Sequence, residues 1–272
     1  MQPEHRAELV SRLVTAGVKE IEVASFVSPR AVPAMAGAAE VVAATRDVIS
    51  DVDVTLWALV PNVKGSQLAT DAGVDHLTVT VSASAAYSEK NTHMAIGQAF
   101  DELAAIRDAA SRAVVDVVIS CCFGSPFEGE TITPDDVAAL VHRARAAGAD
   151  QVTLADTTGM ATPRRINDVL SAVGIDVGLH LHDTRGTALL NAWTAIDQGV
   201  HRFDTALGGI GGSPFAPTAG GNLATEDLVM VLADAGMDTG IDLDRLLDIA
   251  PRLTELIGHT LPGRLSAAGA LP

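Results

Sequence analysis

Short apolar runs alternate with longer amphipathic segments along this 272-residue chain. The short runs are rich in Val, Ile, Leu and Thr, which favour β-strands. They predict seven strands, near residues 20–24, 54–59, 76–81, 114–120, 151–155, 177–182 and 202–206. The longer segments predict helices near residues 5–17, 34–47, 64–72, 94–111, 134–147, 163–173, 187–198, 223–235 and 243–257.

Glycines mark the ends of several predicted helices, at Gly73, Gly148, Gly199 and Gly236. Glycine readily adopts the left-handed conformation in which many helices terminate. The pair Ala-Gly recurs where a helix returns to a strand, but the intervening units differ in length. The pattern therefore indicates successive βα units and not a solenoid of equal repeats.

Strands that alternate with helices indicate a parallel sheet. Units of about 30–35 residues favour a (β/α)8 TIM barrel, as one catalytic domain over residues 1–272, rather than a doubly wound sheet. A dinucleotide-binding fold would carry its Gly-rich fingerprint early, whereas the glycines at 208–212 follow the seventh strand. Because only seven strands are predicted and a helix precedes them, we expect a barrel without its first strand and with unpaired sheet edges. Helices from about residue 223 would close and extend it.

Composition narrows the class of protein. Hydrophobic residues make up 48% of the chain and charged residues 19%, which excludes intrinsic disorder. The net charge of −16 argues against a nucleic-acid partner.

No apolar run approaches the roughly 20 residues that span a bilayer, and no signal-peptide core is evident. The two cysteines, Cys121 and Cys122, are adjacent and cannot build a disulfide framework. We expect a cytoplasmic protein without a membrane partner.

The strongest candidate for chemistry is the segment His180-Leu181-His182-Asp183 at the end of the sixth predicted strand. Side chains alternate along a strand, so His180 and His182 would point to the same face. In a barrel, functional residues lie at the carboxyl ends of the strands. The two imidazoles are candidate metal ligands, and the alternative is a pair of hydrogen-bonded histidines in a polar loop.

Two further segments carry candidate residues. Four glycines within residues 208–212 permit close approach to a ligand, although a flexible loop has the same composition. Asn222 precedes a predicted helix, where it would serve as an N-cap or offer its amide oxygen to a metal. Glu22 is a charge within an apolar strand and demands a partner. Asp156 ends another strand, and taken alone it is most simply a surface-loop aspartate.

Five motifs in order resemble the 3-hydroxy-3-methylglutaryl-CoA (HMG-CoA) lyases, which belong to the metal-dependent TIM-barrel lyases and condensing enzymes. The resemblance covers essentially the whole chain. The motifs are Ser-Phe-Val-Ser-Pro-Arg at 25–30, Pro-Asn-Val-Lys-Gly at 61–65, Ala-Asp-Thr-Thr-Gly at 155–159, His-Leu-His-Asp-Thr at 180–184, and the segment 220–228.

The resemblance implies an acyl-CoA lyase that cleaves an HMG-CoA-like thioester to acetyl-CoA and a keto acid, with a CoA thioester as partner. The oligomeric state is open, and the helices after residue 223 are a candidate surface for a homodimer. It implies Mg²⁺ or Mn²⁺ held by His180, His182 and Asn222. The implied catalytic residues are His180, which also assists proton transfer, Ser213 in the Gly-rich loop, and Asp156 and Glu22, which organise the site. Glu226 would orient the ligands, and Arg30 and Lys64 would bind CoA phosphates or be ordinary solvated cations.

The chain departs from the family pattern at three places. The family's Arg-Asp-Gly-Leu-Gln motif on the first strand, with a metal-binding aspartate and a catalytic arginine, has no counterpart in this sequence. Ser213 stands where the family carries a cysteine, and serine is a far weaker proton donor to an enolate. Ser125 also replaces a cysteine common in relatives. The alternatives are therefore a condensing enzyme or aldolase on the same barrel, or an inactive truncated paralogue.

Overall fold

A computed structural model describes residues 1–30, 32–49, 52–212 and 220–269. Within them the chain forms one curled parallel sheet of seven strands, which confirms the seven predicted strands. They are β1 (Glu20–Ser25), β2 (Thr55–Leu59), β3 (His76–Ser82), β4 (Val114–Ser120), β5 (Gln151–Asp156), β6 (Gly178–Leu181) and β7 (Arg202–Asp204).

Twelve α-helices are found in the described part of the chain, and most of them connect consecutive strands. They are α1 (Pro3–Thr15), α2 (Ala38–Ile49), α3 (Val63–Asp71), α4 (Ala85–Thr92), α5 (Ile96–Ala109), α6 (Pro134–Ala146), α7 (Pro163–Val173), α8 (Ala188–Asp197), α9 (Thr225–Asp234), α10 (Leu243–Leu247), α11 (Ala250–Ile257) and α12 (Arg264–Ala268).

The strands follow one another across the sheet in sequence order, each paired in parallel with the next. Strands β1 and β7 are therefore the two edges, and no other strand of the described residues joins them. This is the expected α/β barrel architecture with an open seam between its ends. Because all strands run the same way, their carboxyl ends and following loops lie on one face.

A continuous apolar core lies between the sheet and its surrounding helices. Leu77 and Leu154 on the strands and Leu103 and Ile166 on the helices are fully buried within it. A second, smaller core, which we call the terminal core, joins α1 to the C-terminal helices. It consists of Ala16, Val229, Leu246 and Ile249. Aliphatic residues predominate in both cores, as the scarcity of aromatic residues requires.

Helix ends agree with local sequence signals in most places. The four glycines expected after helices, Gly73, Gly148, Gly199 and Gly236, all have positive φ. The Thr133 hydroxyl accepts from the amide of Asp136, and the Asp136 carboxylate accepts from the amide of Thr133, which forms a capping box for α6.

Two helical predictions are corrected by the structure, and two helices, α4 and α12, were not predicted. Residues 243–257 form two helices, because α10 ends at Leu247 and α11 begins afresh with Pro251 in its first turn. Residues 34–47 are also divided, into a 3₁₀ turn at Pro33–Met35 and helix α2. Helix α4 was not predicted, because its sequence is polar and lacks a clear apolar stripe.

Candidate functional site

Two histidines at the carboxyl end of β6 form the centre of the candidate site. His180 is on the strand and His182 follows it, and their Nε2 atoms are 3.2 Å apart. The prediction that both rings face the same side is therefore confirmed. As a hydrogen bond, this contact requires one ring to donate and the other to accept. The same arrangement also directs two imidazole nitrogens towards one point.

Asn222 lies beside the two histidines through a bridge between its backbone and that of His182. Its side-chain Nδ2 donates to the carbonyl oxygen of Ile210 at 2.9 Å, while Oδ1 is buried without a hydrogen-bond partner. The N-cap interpretation is wrong, because α9 begins at Thr225 and its N-cap is Ala224. Asn222 thus presents a free amide oxygen, since its amide nitrogen is already occupied.

Asp204 on β7 holds the His180 ring, with 3.4 Å between its Oδ2 and Nδ1 of His180. Desolvation by itself would lower the pKa of His180, but the hydrogen bond and negative charge of Asp204 outweigh it, so the pKa is raised. A proton on Nδ1 leaves Nε2 free as a ligand or base. Desolvation and the neighbouring His180 lower the pKa of His182 to about 4, which keeps that ring neutral.

Asp156 is buried at the end of β5, with 2% of its surface exposed, so the surface-loop interpretation is wrong. Its Oδ1 accepts from the amides of Met160 at 2.7 Å and Ala161 at 3.0 Å, while Oδ2 is buried without a partner. Desolvation raises its pKa to about 6 although both amides oppose the shift. The carboxyl group therefore keeps one oxygen for another contact.

Glu22 lies on the edge strand β1, and a hydrogen bond with the Thr78 side chain is its partner. Desolvation raises the pKa of Glu22 to about 7, and the carboxylate of Asp204 adds to the shift. The residue is nevertheless accessible to solvent on the edge strand, and water reaching it relieves part of this desolvation. The influence of Asp204 and His180 on Glu22 places it among the groups of the site.

Glu226 is fully buried and fastens two segments near the site. Its Oε2 accepts from the amide of Gly208 at 3.0 Å, and its Oε1 accepts from the hydroxyl of Ser266. No hydrogen bond in the described residues joins it to His180, His182 or Asn222 side chains. It therefore supports the start of the Gly-rich loop, and the end of that loop carries Asn222.

The Gly-rich loop approaches Asn222 closely at Gly211, whose φ is +113°. A Cβ atom on Gly211 would lie 2.4 Å from Nδ2 of Asn222, so a side chain there would displace the amide.

Ser213, the expected proton donor, lies outside the described residues. Arg30 and Lys64 are exposed in segments that follow β1 and β2, on the same face as the histidines. Neither forms an ion pair within the described residues.

Sequence reasoning missed Asp204 and a buried ion pair deeper in the sheet. Asp116 on β4 accepts from the hydroxyl of Thr153 at 2.7 Å and pairs with Arg202 on β7 at 3.3 Å. Burial raises the pKa of Asp116 although Arg202 opposes the shift. The signal in the sequence was the alternation of Arg202 and Asp204, which places two charges on one face of a strand.

The donors at this face suit a divalent cation only in part. Within residues 1–30, 32–49, 52–212 and 220–269, no three His, Cys, Asp or Glu side chains cluster as a metal site. The candidate set is therefore the two imidazoles and the free amide oxygen of Asn222, with the unpartnered Oδ2 of Asp156 as a further buried oxygen. The unpartnered buried oxygens of Asn222 and Asp156 fit the oxygen ligands of a divalent cation, while the three principal donors carry no charge.

A parallel βα sheet with histidine, amide and carboxyl groups at its carboxyl face defines a TIM-barrel type of enzyme site. The HMGL-like family model matches residues 1–252. The chain belongs to the HMGL-like family, and members of this family generally depend on a divalent metal.

The chain is similar to characterised lyases over almost its whole length. It is 38% identical to an (R)-citramalyl-CoA lyase of Chloroflexus aurantiacus, covering 99% of this chain and 89% of the relative. It is 36% identical to a hydroxymethylglutaryl-CoA lyase of Pseudomonas mevalonii, covering 97% and 88%. An HMG-CoA lyase structure from Acinetobacter baumannii, in complex with coenzyme A and 3-methylmalate, superposes with a TM-score of 0.89 at 36% identity, covering 100% and 92%. None of the described helices is long and apolar enough to cross a membrane.

Proposed function

We propose that this chain is an acyl-CoA lyase that cleaves a carbon–carbon bond in a 3-hydroxy-3-methyl acyl-CoA bearing a carboxylate. The observation that carries the proposal is the set of His180, His182 and Asn222, brought together at the carboxyl face of an HMGL-like barrel. The names of the similar lyases indicate the substrate class. HMG-CoA and citramalyl-CoA both have a tertiary hydroxyl group next to the methylene of the thioester.

The cleavage requires a proton to leave the 3-hydroxyl group while the bond between C2 and C3 breaks. C3 becomes the carbonyl carbon of a keto acid, and the bonding electron pair moves to C2 as the enolate of acetyl-CoA. A proton delivered to C2 then completes acetyl-CoA. By this balance HMG-CoA yields acetoacetate and citramalyl-CoA yields pyruvate.

His180, His182 and Asn222 are the residues that would hold Mg²⁺ or Mn²⁺. When bound, the cation supplies charge stabilisation for the oxygen atoms of the substrate and lowers the pKa of its hydroxyl group. The chain's own residues then orient the reacting groups. Asp204 contacts Nδ1 of His180 and orients the ring, which leaves Nε2 to hold the cation.

Proton movement is assigned to the imidazole, carboxyl and hydroxyl groups expected at the site. We assign assistance of proton transfer to His180, and a hydrogen bond from the substrate hydroxyl to the unpartnered Oδ2 of Asp156. Glu22 contributes a carboxyl group with a raised pKa on the opposite edge of the site. Ser213 would supply the proton that reaches the enolate or order a water molecule that supplies it. Arg30 and Lys64 would bind CoA phosphates from the loops after β1 and β2.

The test is to incubate the protein with HMG-CoA or (R)-citramalyl-CoA in the presence of Mg²⁺ or Mn²⁺. Acetyl-CoA and the keto acid are then measured separately. We expect cleavage of at least one substrate, with a loss of about 10²-fold or more in His182→Ala. His201→Ala is the matched control, because His201 is exposed at the opposite end of the sheet and should keep full activity. The absence of acetyl-CoA from both substrates would refute the proposal.

A further inference from the structure

Arg185 lies in the loop after β6, three residues beyond His182. Its Nη1 donates to the carbonyl oxygens of Thr158 at 2.7 Å and Gly159 at 3.0 Å. Both carbonyls belong to the loop that begins at Asp156 and follows β5. The guanidinium group is therefore held between two strand-end loops although the residue is exposed.

Only one nitrogen of this guanidinium group is occupied. An arginine has five N–H donors, and the two carbonyl contacts use those of Nη1. Across the described parts of the chain, Arg185 pairs with no carboxylate, and Nε and Nη2 make no hydrogen bond. A fixed guanidinium edge with free Nε and Nη2 matches the two oxygens of a carboxylate or phosphate.

Arg185 brings a positive charge to a site that is rich in carboxyl groups. Three carboxyl groups of the site, on Glu22, Asp156 and Asp204, repel an anionic substrate when ionised. The positive charge of Arg185 acts on Asp156, where it helps to oppose the rise in pKa caused by burial. Because Arg185 also binds two carbonyl oxygens of the loop after Asp156, its positive charge lies beside this acidic site and would offset the repulsion of an anion.

We propose that Arg185 binds an anionic oxygen pair of the substrate, namely the carboxylate of its acyl part, and thereby selects carboxylated acyl-CoA substrates. This inference rests on the proposed lyase function and assigns Arg185 a role in specificity. A CoA phosphate offers the same chemistry. The carboxylate is favoured because Arg185 is anchored to the loop after Asp156 and lies only three residues beyond His182.

Arg165 provides a matched control for a purely structural role. Its Nη1 also donates to two carbonyl oxygens, those of Phe123 at 2.7 Å and Met160 at 3.2 Å. It therefore also secures the loop after β5, through Met160, and ties it to the loop after β4, but it is half-buried at the start of α7. If loop anchoring is the whole role of Arg185, Arg165→Gln and Arg185→Gln should behave alike.

The experiment measures binding of three probes by calorimetry in the presence of Mn²⁺: citramalate, CoA and dephospho-CoA. We expect Arg185→Gln to weaken citramalate binding about 10- to 100-fold and to leave both CoA probes unchanged. Arg185→Lys should recover only part of the affinity, because lysine keeps the charge without the fork. Arg165→Gln should bind all three probes like the wild type.

Several outcomes would overturn the assignment. Unchanged citramalate binding in Arg185→Gln, or an equal loss in Arg165→Gln, would show that Arg185 only anchors the loop. A loss confined to CoA would assign Arg185 to a phosphate and reject the carboxylate. Wild-type protein that binds none of the three probes would instead refute the proposed lyase function, and this result is distinct from a failure of Arg185 alone.

Discussion

Replacing Arg202 by Met should destabilise the fold by leaving Asp116 as an unpaired acid in the sheet interior. Asp116 is 6% exposed, and Arg202 is the charge that most opposes the rise in its pKa. Breaking a fully buried ion pair by removing one partner costs about 3–5 kcal/mol. The Arg202 side chain is 33% exposed, so water already screens part of the pair. We therefore expect a loss of about 2 kcal/mol at pH 8.5.

The destabilisation caused by Arg202→Met should depend on pH, because Asp116 is a titratable group. The pKa of Asp116 is raised in the folded protein, so its contribution to stability is present at low pH and is lost as pH rises through the folded pKa. Without Arg202 the folded pKa rises further, since the main opposing charge is gone. Arg202→Met should therefore cost more stability at pH 8.5 than at pH 6.

Urea unfolding monitored by circular dichroism at pH 6 and pH 8.5 tests this reasoning. The matched variants are Asp116→Asn, which retains a group able to hydrogen-bond Thr153, and the double variant Asp116→Asn/Arg202→Met. In the double variant the destabilisation should fall short of the sum of the single changes by about 1–2 kcal/mol. Equal losses for Arg202→Met at both pH values, together with additive single changes, would refute the account of a buried carboxylate held by Arg202.

Three further predictions concern the site and its support. Titration calorimetry should find Mn²⁺ binding tighter than Mg²⁺, because two imidazoles and an amide offer Mg²⁺ no anionic oxygen; sub-micromolar Mg²⁺ affinity would mean that Asp156 joins the ligands. Glu226→Ala should lower the free energy of unfolding by about 1–3 kcal/mol, because the buried amide of Gly208 loses its acceptor; an unchanged urea midpoint would contradict this. Ser213→Cys should raise kcat on the preferred thioester, since a thiol is a stronger acid than a hydroxyl; a kcat equal to that of the wild type, in metal-loaded protein, would exclude residue 213 as the proton donor.

The strands could be predicted from the sequence because each lies in a short run rich in Val, Ile, Leu or Thr between polar loops. Strand β4 was predicted with its exact bounds for this reason. Helix α4 escaped prediction because tertiary contacts, and not an apolar stripe, hold it in place. The carboxylate of Glu130 accepts from the amide of Ala86 at 2.9 Å, and such a contact from 44 residues away has no local signal.

The histidine pair of the site was predictable from the two-residue period of a strand, which fixed the side of His180 and His182. Their partners were not. Asp204 meets His180 only because β6 and β7 are neighbours in the sheet. Asn222 was ambiguous between a cap and a ligand until the start of α9 was known. Pairings between strands and loops depend on topology, which local patterns do not contain.

The open seam between β1 and β7 makes the sheet a strip whose two ends must be fastened from outside. The terminal core provides this fastening, because α1 precedes β1 while the C-terminal helices follow β7. Arg252 pairs with Glu8 at 3.0 Å, and the amide of Asp242 donates to the carbonyl of Ala16 at 2.7 Å. Contacts between the two ends of the chain therefore help to keep the sheet curled. We expect separation of α1 from the C-terminal helices to relax the curvature that gathers the site residues.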